Sequence, residues 1–181
     1  MNRIEKKFAE LKQAGKKGLV GYMTAGDPDY ATSLATIRGA IKAGIDVLEL
    51  GVPFSDPTAD GPVIQAAALR ALEAGMTVRK ALGMVAELRK DTDIPIVMFG
   101  YVNPFFRYGY SPLAADAAKA GADAFLVVDM PHEEAGELAE ARGGARDEQG
   151  HRGDGARDGG GAAPPAAPLG DDDFRGGAAG V

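Results

Sequence analysis

The sequence contains no cysteine, which excludes disulfides and thiolate metal sites. It has two histidines, His132 and His151, too few for a histidine-rich metal site, so no metal is expected. Positive charge is scarce beside negative: 20 Lys and Arg stand against 26 Asp and Glu, and the net charge of -6 argues against nucleic acid or an anionic membrane as a partner. No apolar run approaches the length of a membrane span, and the opening Met1-Asn2-Arg3-Ile4-Glu5-Lys6-Lys7-Phe8 has no hydrophobic core of a signal peptide. A soluble, acidic, cytoplasmic protein is expected.

The last stretch lacks apolar residues. From Gly143 to Val181, 39 residues hold 12 Gly, 8 Ala, 6 Asp, 4 Arg and 3 Pro, and only Leu169, Phe174 and Val181 could anchor a core. Such a segment cannot bury enough apolar surface to offset its chain entropy. The expected organisation is therefore a folded unit over 1–141 and a tail over 142–181 that is disordered or an out-of-frame reading of the gene, its residues being those with GC-rich codons. Gly159-Gly160-Gly161 follows no strand and opens no helix, so it is not read as a phosphate cradle.

Upstream of the tail the pattern is regular. Ile4, Phe8, Leu11 and Ala14 fall at helical spacing before Gly15. Leu19 to Thr24 reads as a strand, and a helix follows through Leu34, Ile37 and Ile41. Asp46 to Leu50 reads as a second strand, with a long loop ending at Gly61 and Pro62 at a first helical position. Val63 to Glu73 continue that helix, and Val78, Leu82, Val85 and Leu88 mark another. Ile94 to Phe99 form a third strand, after which Gly100-Tyr101-Val102-Asn103-Pro104 is read as a loop. Ser111-Pro112 opens a further helix, Ala124 to Asp129 make a fourth strand, and His132-Glu133-Glu134 begins another helix, with His132 a solvated helix-start residue.

The junctions Lys42-Ala43-Gly44-Ile45-Asp46 and Lys119-Ala120-Gly121-Ala122-Asp123 are near copies, each placing Gly past a helix end and Asp before an apolar strand. This marks a repeated strand-helix unit and hence a parallel sheet covered by helices. The strands begin near residues 19, 46, 94 and 124, a mean spacing of 35. Eight such units would need roughly 250 residues, the usual size of an eight-fold barrel. A closed barrel and a doubly wound open sheet both fit this pattern, and in both the ligand site lies at the C-terminal strand ends.

One such end carries the clearest chemical signal. Leu48 and Leu50 share one face of the second strand, leaving Val47 and Glu49 on the other. A carboxylate turned into an interior costs several kcal/mol unless paired or protonated. Glu49 is thus a candidate functional residue, or else a structural carboxylate paired with a Lys or Arg. Asp60, before Gly61-Pro62, is either a second functional carboxylate or a turn or capping residue. Asp27-Pro28 and Asp56-Pro57 read as turn chemistry. Tyr22, Phe99 and Tyr101 would line a pocket or belong to the core.

The run Leu48-Glu49-Leu50-Gly51-Val52-Pro53-Phe54-Ser55-Asp56-Pro57-Thr58-Ala59-Asp60-Gly61-Pro62 closely resembles the tryptophan synthase alpha subunit family. Tyr22-Met23-Thr24-Ala25-Gly26-Asp27-Pro28, Gly100-Tyr101-Val102-Asn103-Pro104 and Val128-Asp129-Met130-Pro131 resemble that family's other strand-end loops, in order. Thr58 stands where the family has an apolar residue.

The resemblance covers about residues 1–141. It implies an α/β fold of the (β/α)8 TIM barrel type, of which about the first four units are present. The activity it implies is that of a lyase cleaving indole-3-glycerol phosphate to indole and glyceraldehyde 3-phosphate. By the same resemblance Glu49 would be the general acid and base, Asp60 would hold the indole nitrogen, and Tyr22, Phe99 and Tyr101 would wall the indole pocket. Pro53, Phe54, Ser55, Asp56, Pro57, Asn103 and Pro104 would meet a beta subunit in a complex of two alpha and two beta chains. This chain would carry no cofactor, pyridoxal phosphate belonging to the beta subunit. The family's glycine-rich phosphate loops, which follow the later strands, have no counterpart here.

Overall fold

A computed structural model describes residues 2–141; the tail reading for 142–181 lies outside the described residues. Four parallel strands, β1 (Val20–Thr24), β2 (Val47–Gly51), β3 (Ile96–Gly100) and β4 (Ala124–Val127), lie side by side in chain order. Helix α1 (Arg3–Gln13) precedes them, α2 (Tyr30–Ala43) joins β1 to β2, α3 (Pro62–Glu73) and α4 (Val78–Arg89) join β2 to β3, and α5 (Val102–Tyr108) and α6 (Tyr110–Ala120) join β3 to β4. Right-handed crossovers that always step the same way put the connecting helices α2 to α6 on one face of the sheet, where they share one core. A doubly wound sheet reverses its strand order to cover both faces, so this order selects the barrel-type arrangement.

Local chemistry sets the helix ends. Asn2 and Glu5 form a reciprocal capping box at α1, with Glu5 N–H to Asn2 Oδ1 at 2.8 Å and Asn2 N–H to Glu5 Oε2 at 3.0 Å. Asp29 and Thr77 cap α2 and α4, and Pro62 sits in the first turn of α3. Gly44 and Gly121, the glycines of the repeated junction, both end their helices in the left-handed conformation, at φ 113° and 92°. The outward strand residues Leu48, Leu50, Ile96 and Met98 pack with Ile37, Met84, Val85, Leu88, Phe105 and Leu113 in one buried core.

The bounds of β1, β2 and β3 shift by one or two residues from the sequence reading, and larger differences follow β3 and β4. The segment read as a loop after β3 is mostly helix: Tyr101 is extended, and α5 runs from Val102 with Pro104 as its third residue. A first-turn N–H has no partner within the helix, so proline there breaks no bond, and the same holds for Pro112 in α6, which starts at Tyr110. β4 ends at Val127 because Asp129 leaves the strand and accepts from the Val102 N–H at 2.7 Å, supplying α5 with its missing cap. The helix expected from His132 is a single 3-10 turn, His132–Glu134, with α-helix resuming over 136–141.

The repeated aspartates tie each strand base to the one before it. Asp46 accepts from the Leu19 N–H at 2.9 Å and lies 3.7 Å from Lys7 Nζ, while its own N–H donates to Leu19 O at 2.9 Å. Asp123 accepts from the Ile96 N–H at 2.9 Å and returns its own N–H to Ile96 O at 2.8 Å. It also takes Arg89 Nη2 at 2.5 Å and Arg3 Nη1 at 3.1 Å. The two sites differ in burial, with side-chain exposures of 23% for Asp46 and 5% for Asp123. Removing one partner of a buried pair strands the other, whereas an exposed group falls back on water. Asp123→Ala should therefore lower stability by about 3 kcal/mol, and Asp46→Ala by about 1 kcal/mol. Urea unfolding followed by circular dichroism measures both, and equal losses would contradict the assignment.

Candidate active site

Register decides what meets at the C-terminal strand ends. Tyr22 pairs with Glu49, Glu49 with Val97, and Val97 with Ala124, so these four form one layer on the face turned from the helices. One step further, Thr24, Gly51, Phe99 and Leu126 form the next layer. Glu49 is half-buried there, not enclosed, and among the described residues no Lys or Arg pairs with it. The reading of Glu49 as one half of a structural ion pair thus finds no partner in residues 2–141.

Tyr22 leans over the end of β2. A Cβ added to Gly51 would collide with its hydroxyl and ring, so only glycine leaves room for this phenol beside Glu49. The Tyr22 ring meets Phe99 edge-on, with centroids 5.1 Å apart, and its hydroxyl accepts from Thr24 Oγ1 at 3.4 Å. Burial raises the Tyr22 pKa; the Thr24 hydrogen bond opposes this, and the negative charges of Asp60 and Glu49 raise it further. One phenol thus feels both candidate carboxylates.

Asp60 is reached from β3. Tyr101, buried at the start of α5, donates its hydroxyl to Asp60 Oδ2 at 3.0 Å and accepts from the Ala59 N–H at 3.0 Å, while its ring lies 5.4 Å from that of Phe54. Burial, set against the Ala59 hydrogen bond and joined by the Asp60 hydrogen bond and charge, leaves the Tyr101 pKa raised. Asp60 does not cap α3, since Gly61 holds the cap position without a side-chain bond. The backbone of the turn is held separately: Asp60 N–H bonds Pro57 O at 3.0 Å, and Gln65 Nε2 bonds Asp60 O at 2.8 Å.

The structure brings together Tyr22, Glu49, Asp60, Phe99 and Tyr101, and Tyr101, expected as a wall, is a buried hydrogen-bonding strut. Gly51, Thr24 and Gln65 were not singled out from sequence; the glycine after an apolar strand was the one available signal. Of the segments read as a partner surface, Ser55, Asp56 and Asn103 are exposed, Phe54, Pro57 and Pro104 are half-buried, and Pro53 is buried. Asp27, read as a turn residue, also receives a two-pronged bond from Arg70, at 2.7 and 2.8 Å, which fastens the loop after β1 to α3. Among the described residues no group of three or more His, Cys, Asp or Glu could hold a metal, and no helix is long and apolar enough to cross a membrane.

A family model described as tryptophan synthase alpha chain matches residues 8–145. The tryptophan synthase alpha chain of Citrifermentans bemidjiense is 54% identical over 138 residues, which is 76% of this chain and 52% of that one. The one from Desulfosudis oleivorans is 55% identical over the same length and shares. Among solved structures, tryptophan synthase subunit alpha from Legionella pneumophila superposes with a TM-score of 0.77 at 45% identity, covering 80% of this chain and 56% of that chain. A ligand-free tryptophan synthase from M. tuberculosis gives 0.77 at 33% identity, with 81% and 59% covered. The chain spans about half the length of the curated relatives it matches.

The geometry makes Tyr22 a reporter of the carboxylates. In Asp60→Asn one of the charges raising its pKa is gone, so its phenolate should form at lower pH than in the parent chain. Difference absorbance of the tyrosinate band during alkaline titration, with Tyr22→Phe to identify the signal, reads the shift. A rise, or no change, would mean that Tyr22 and Asp60 do not share a site.

Proposed function

Because the chain belongs to the tryptophan synthase alpha chain family, we propose that Glu49 and Asp60 form the acid-base part of a lyase site acting on indole-3-glycerol phosphate. The observation that carries this reading is the layer in which Glu49 lies beside Tyr22, with Asp60 close enough for its charge to act on the same phenol. Two carboxylates at the C-terminal ends of parallel strands, walled by aromatic rings, suit an aromatic substrate with a hydroxylated side chain.

The cleavage needs one proton in and one proton out. A proton is delivered to the ring carbon that bears the side chain, and the positive charge this creates spreads to the indole nitrogen. The hydroxyl on the adjacent side-chain carbon then loses its proton, its electrons form the aldehyde C=O, and the carbon-carbon bond breaks. That electron pair returns to the ring and restores neutral indole. Glu49 serves as donor and acceptor in turn, and Asp60 stabilises the charged nitrogen. Phe99 and Tyr22 give the ring an apolar wall.

The product indole would pass to a beta subunit, which carries the pyridoxal phosphate; this chain holds no cofactor. The exposed Ser55, Asp56 and Asn103, with Phe54, Pro57 and Pro104 at their margin, are the surface offered to that partner, in the cytoplasm, within a complex of two alpha and two beta chains. A second reading, an alpha-type chain that binds the beta subunit without turnover, is favoured by one observation: the match spans 52% of the relatives' length.

Indole release from indole-3-glycerol phosphate separates the two, measured on the 181-residue chain with and without a tryptophan synthase beta chain. The lyase reading expects release, reduced about 10²- to 10⁴-fold in Glu49→Gln. No release from the parent chain would overturn the lyase reading for this chain, and co-sedimentation with the beta chain would then support the binding reading.

A further inference from the structure

The turn that carries Asp60 is held from α3. The Asp60 N–H donates to Pro57 O at 3.0 Å and closes a turn over 57–60. Its carboxylate accepts from the Tyr101 hydroxyl at 3.0 Å. Its carbonyl accepts from Gln65 Nε2 at 2.8 Å, and the same amide reaches Pro57 O at 3.5 Å. One side chain thus holds the carbonyls at both ends of the turn. The Gln65 backbone N–H already makes its helical bond to Gly61 O at 3.0 Å, so the side-chain bonds add nothing to the ladder of α3 itself. What they add is a tie between helix and turn.

The turn has little packing of its own, since Ser55, Asp56, Thr58 and Ala59 are exposed. Gly61, which joins Asp60 to the helix, holds the cap position without a side-chain bond, and a Cβ placed on it would meet nothing within 4 Å. Neither capping nor packing at Gly61 therefore fixes the angle at which the chain enters α3. In many helices that angle is set by a contact between the residue before the cap and the fourth helical residue. Asp60 and Gln65 stand at those two positions, joined by an amide-to-carbonyl bond in place of the usual apolar contact. The helix end of this tie is firm. Ala67, Ala68 and Ala71 are buried, and Arg70 grips Asp27 with two bonds, so Gln65 projects from a fixed element onto an exposed one.

We propose that Gln65 is a positioning residue for Asp60, its side-chain amide fixing the 57–60 turn against α3 so that the carboxylate stays where Tyr101 meets it. The proposal rests on the reading of Asp60 as the group that stabilises a positive indole nitrogen. That charge exists only once the ring carbon has been protonated, so a displaced carboxylate is felt in turnover more than in substrate binding. Gln65 touches no reacting atom in this account and acts through the backbone of Asp60. The alternative, an exposed bond that only adds a little stability to the start of α3, predicts no particular effect at Asp60.

Gln65→Met separates the two, because methionine keeps the length and helix preference of the side chain and removes the donor. Lys80→Met is the matched control: Lys80 Nζ donates to Gly75 O at 2.6 Å, a bond of the same kind just past the other end of α3. Hydrogen exchange of the 181-residue chain, read amide by amide by NMR, needs no turnover. In Gln65→Met the Ala59 and Asp60 amides, bonded to Tyr101 and Pro57, should lose protection about 3- to 10-fold. The Leu48 and Val52 amides, bonded to Pro95 and Phe99, should keep theirs, and Lys80→Met should leave all four as in the parent. Unchanged protection at Ala59 and Asp60, or the same loss at all four amides or in the control, overturns the proposal. Where the parent chain releases indole, kcat in Gln65→Met should fall about 10- to 100-fold with KM unchanged. It should fall no further when the substitution is added to Asp60→Asn, and an equal fall in both backgrounds overturns the proposal. A parent that releases no indole refutes the lyase reading, and the exchange result then decides by itself whether Gln65 holds Asp60.

Discussion

Register between strands is the constraint on which the rest of this structure depends. Side chains alternate with a period of two, so a one-residue slip of β2 against β1 would bury Glu49 among Ile37, Met84 and Leu88 and turn Leu48 and Leu50 toward the opening. The slip is opposed at the strand bases. Asp46 holds the Leu19 N–H with its carboxylate while its own N–H is held by Leu19 O, and Asp123 does the same with Ile96. A carboxylate with a reciprocal backbone bond has one satisfactory position along its neighbour. The energetic anchor thus lies at the end of the strands opposite to the chemistry, where it can be buried and charged without competing with a ligand.

This division explains which features were legible in the sequence. The repeated Gly and Asp junctions are local signals: glycine past a helix end requires the left-handed conformation, and both glycines adopt it. The periodicity of α1 to α4 is equally local, and those helices lie where the spacing placed them. The segment after β3 misled because proline was read as a breaker, whereas at the third helical position it disturbs nothing. The end of β4 was placed two residues late because the reason for stopping there, the Asp129 bond to Val102, joins positions far apart in sequence. Chain order of the strands was not written in the sequence at all, since both candidate folds share the same strand-helix alternation.

The candidate site divides in the same way. Glu49 stood out because a carboxylate inside an apolar strand is costly in isolation, and Asp60 because of the loop in which it sits. What joins them could not be read from either. The Tyr22 ring lies over the end of β2 only because β2 has no side chain at Gly51, and Tyr101 reaches Asp60 from another strand-helix unit. Each phenol, an apolar body with one polar tip, crosses from one strand-helix unit to the next, Tyr22 over Gly51 and Tyr101 to a hydrogen bond with Asp60. The missing side chain is as much a part of the arrangement as the carboxylates.

The inner face links the site to the unpaired edges. Charges and dipoles act more strongly on one another as water is excluded, because the effective dielectric falls. In residues 2–141 the layer holding Tyr22 and Glu49 is covered by its own aromatics and only half-buried, so water still screens the two carboxylates from each other and from any developing charge. In the proposed reaction, preorganised stabilisation of a positive indole nitrogen requires that this screening be reduced, and Tyr22, Phe99 and Tyr101, already packed in their places, supply no further cover. Cover must come from across the barrel. Whatever pairs with β1 and β4 therefore does two things at once: it satisfies the outward backbone groups of Val20, Tyr22, Thr24, Phe125 and Val127, and it sets the dielectric around Glu49 and Asp60.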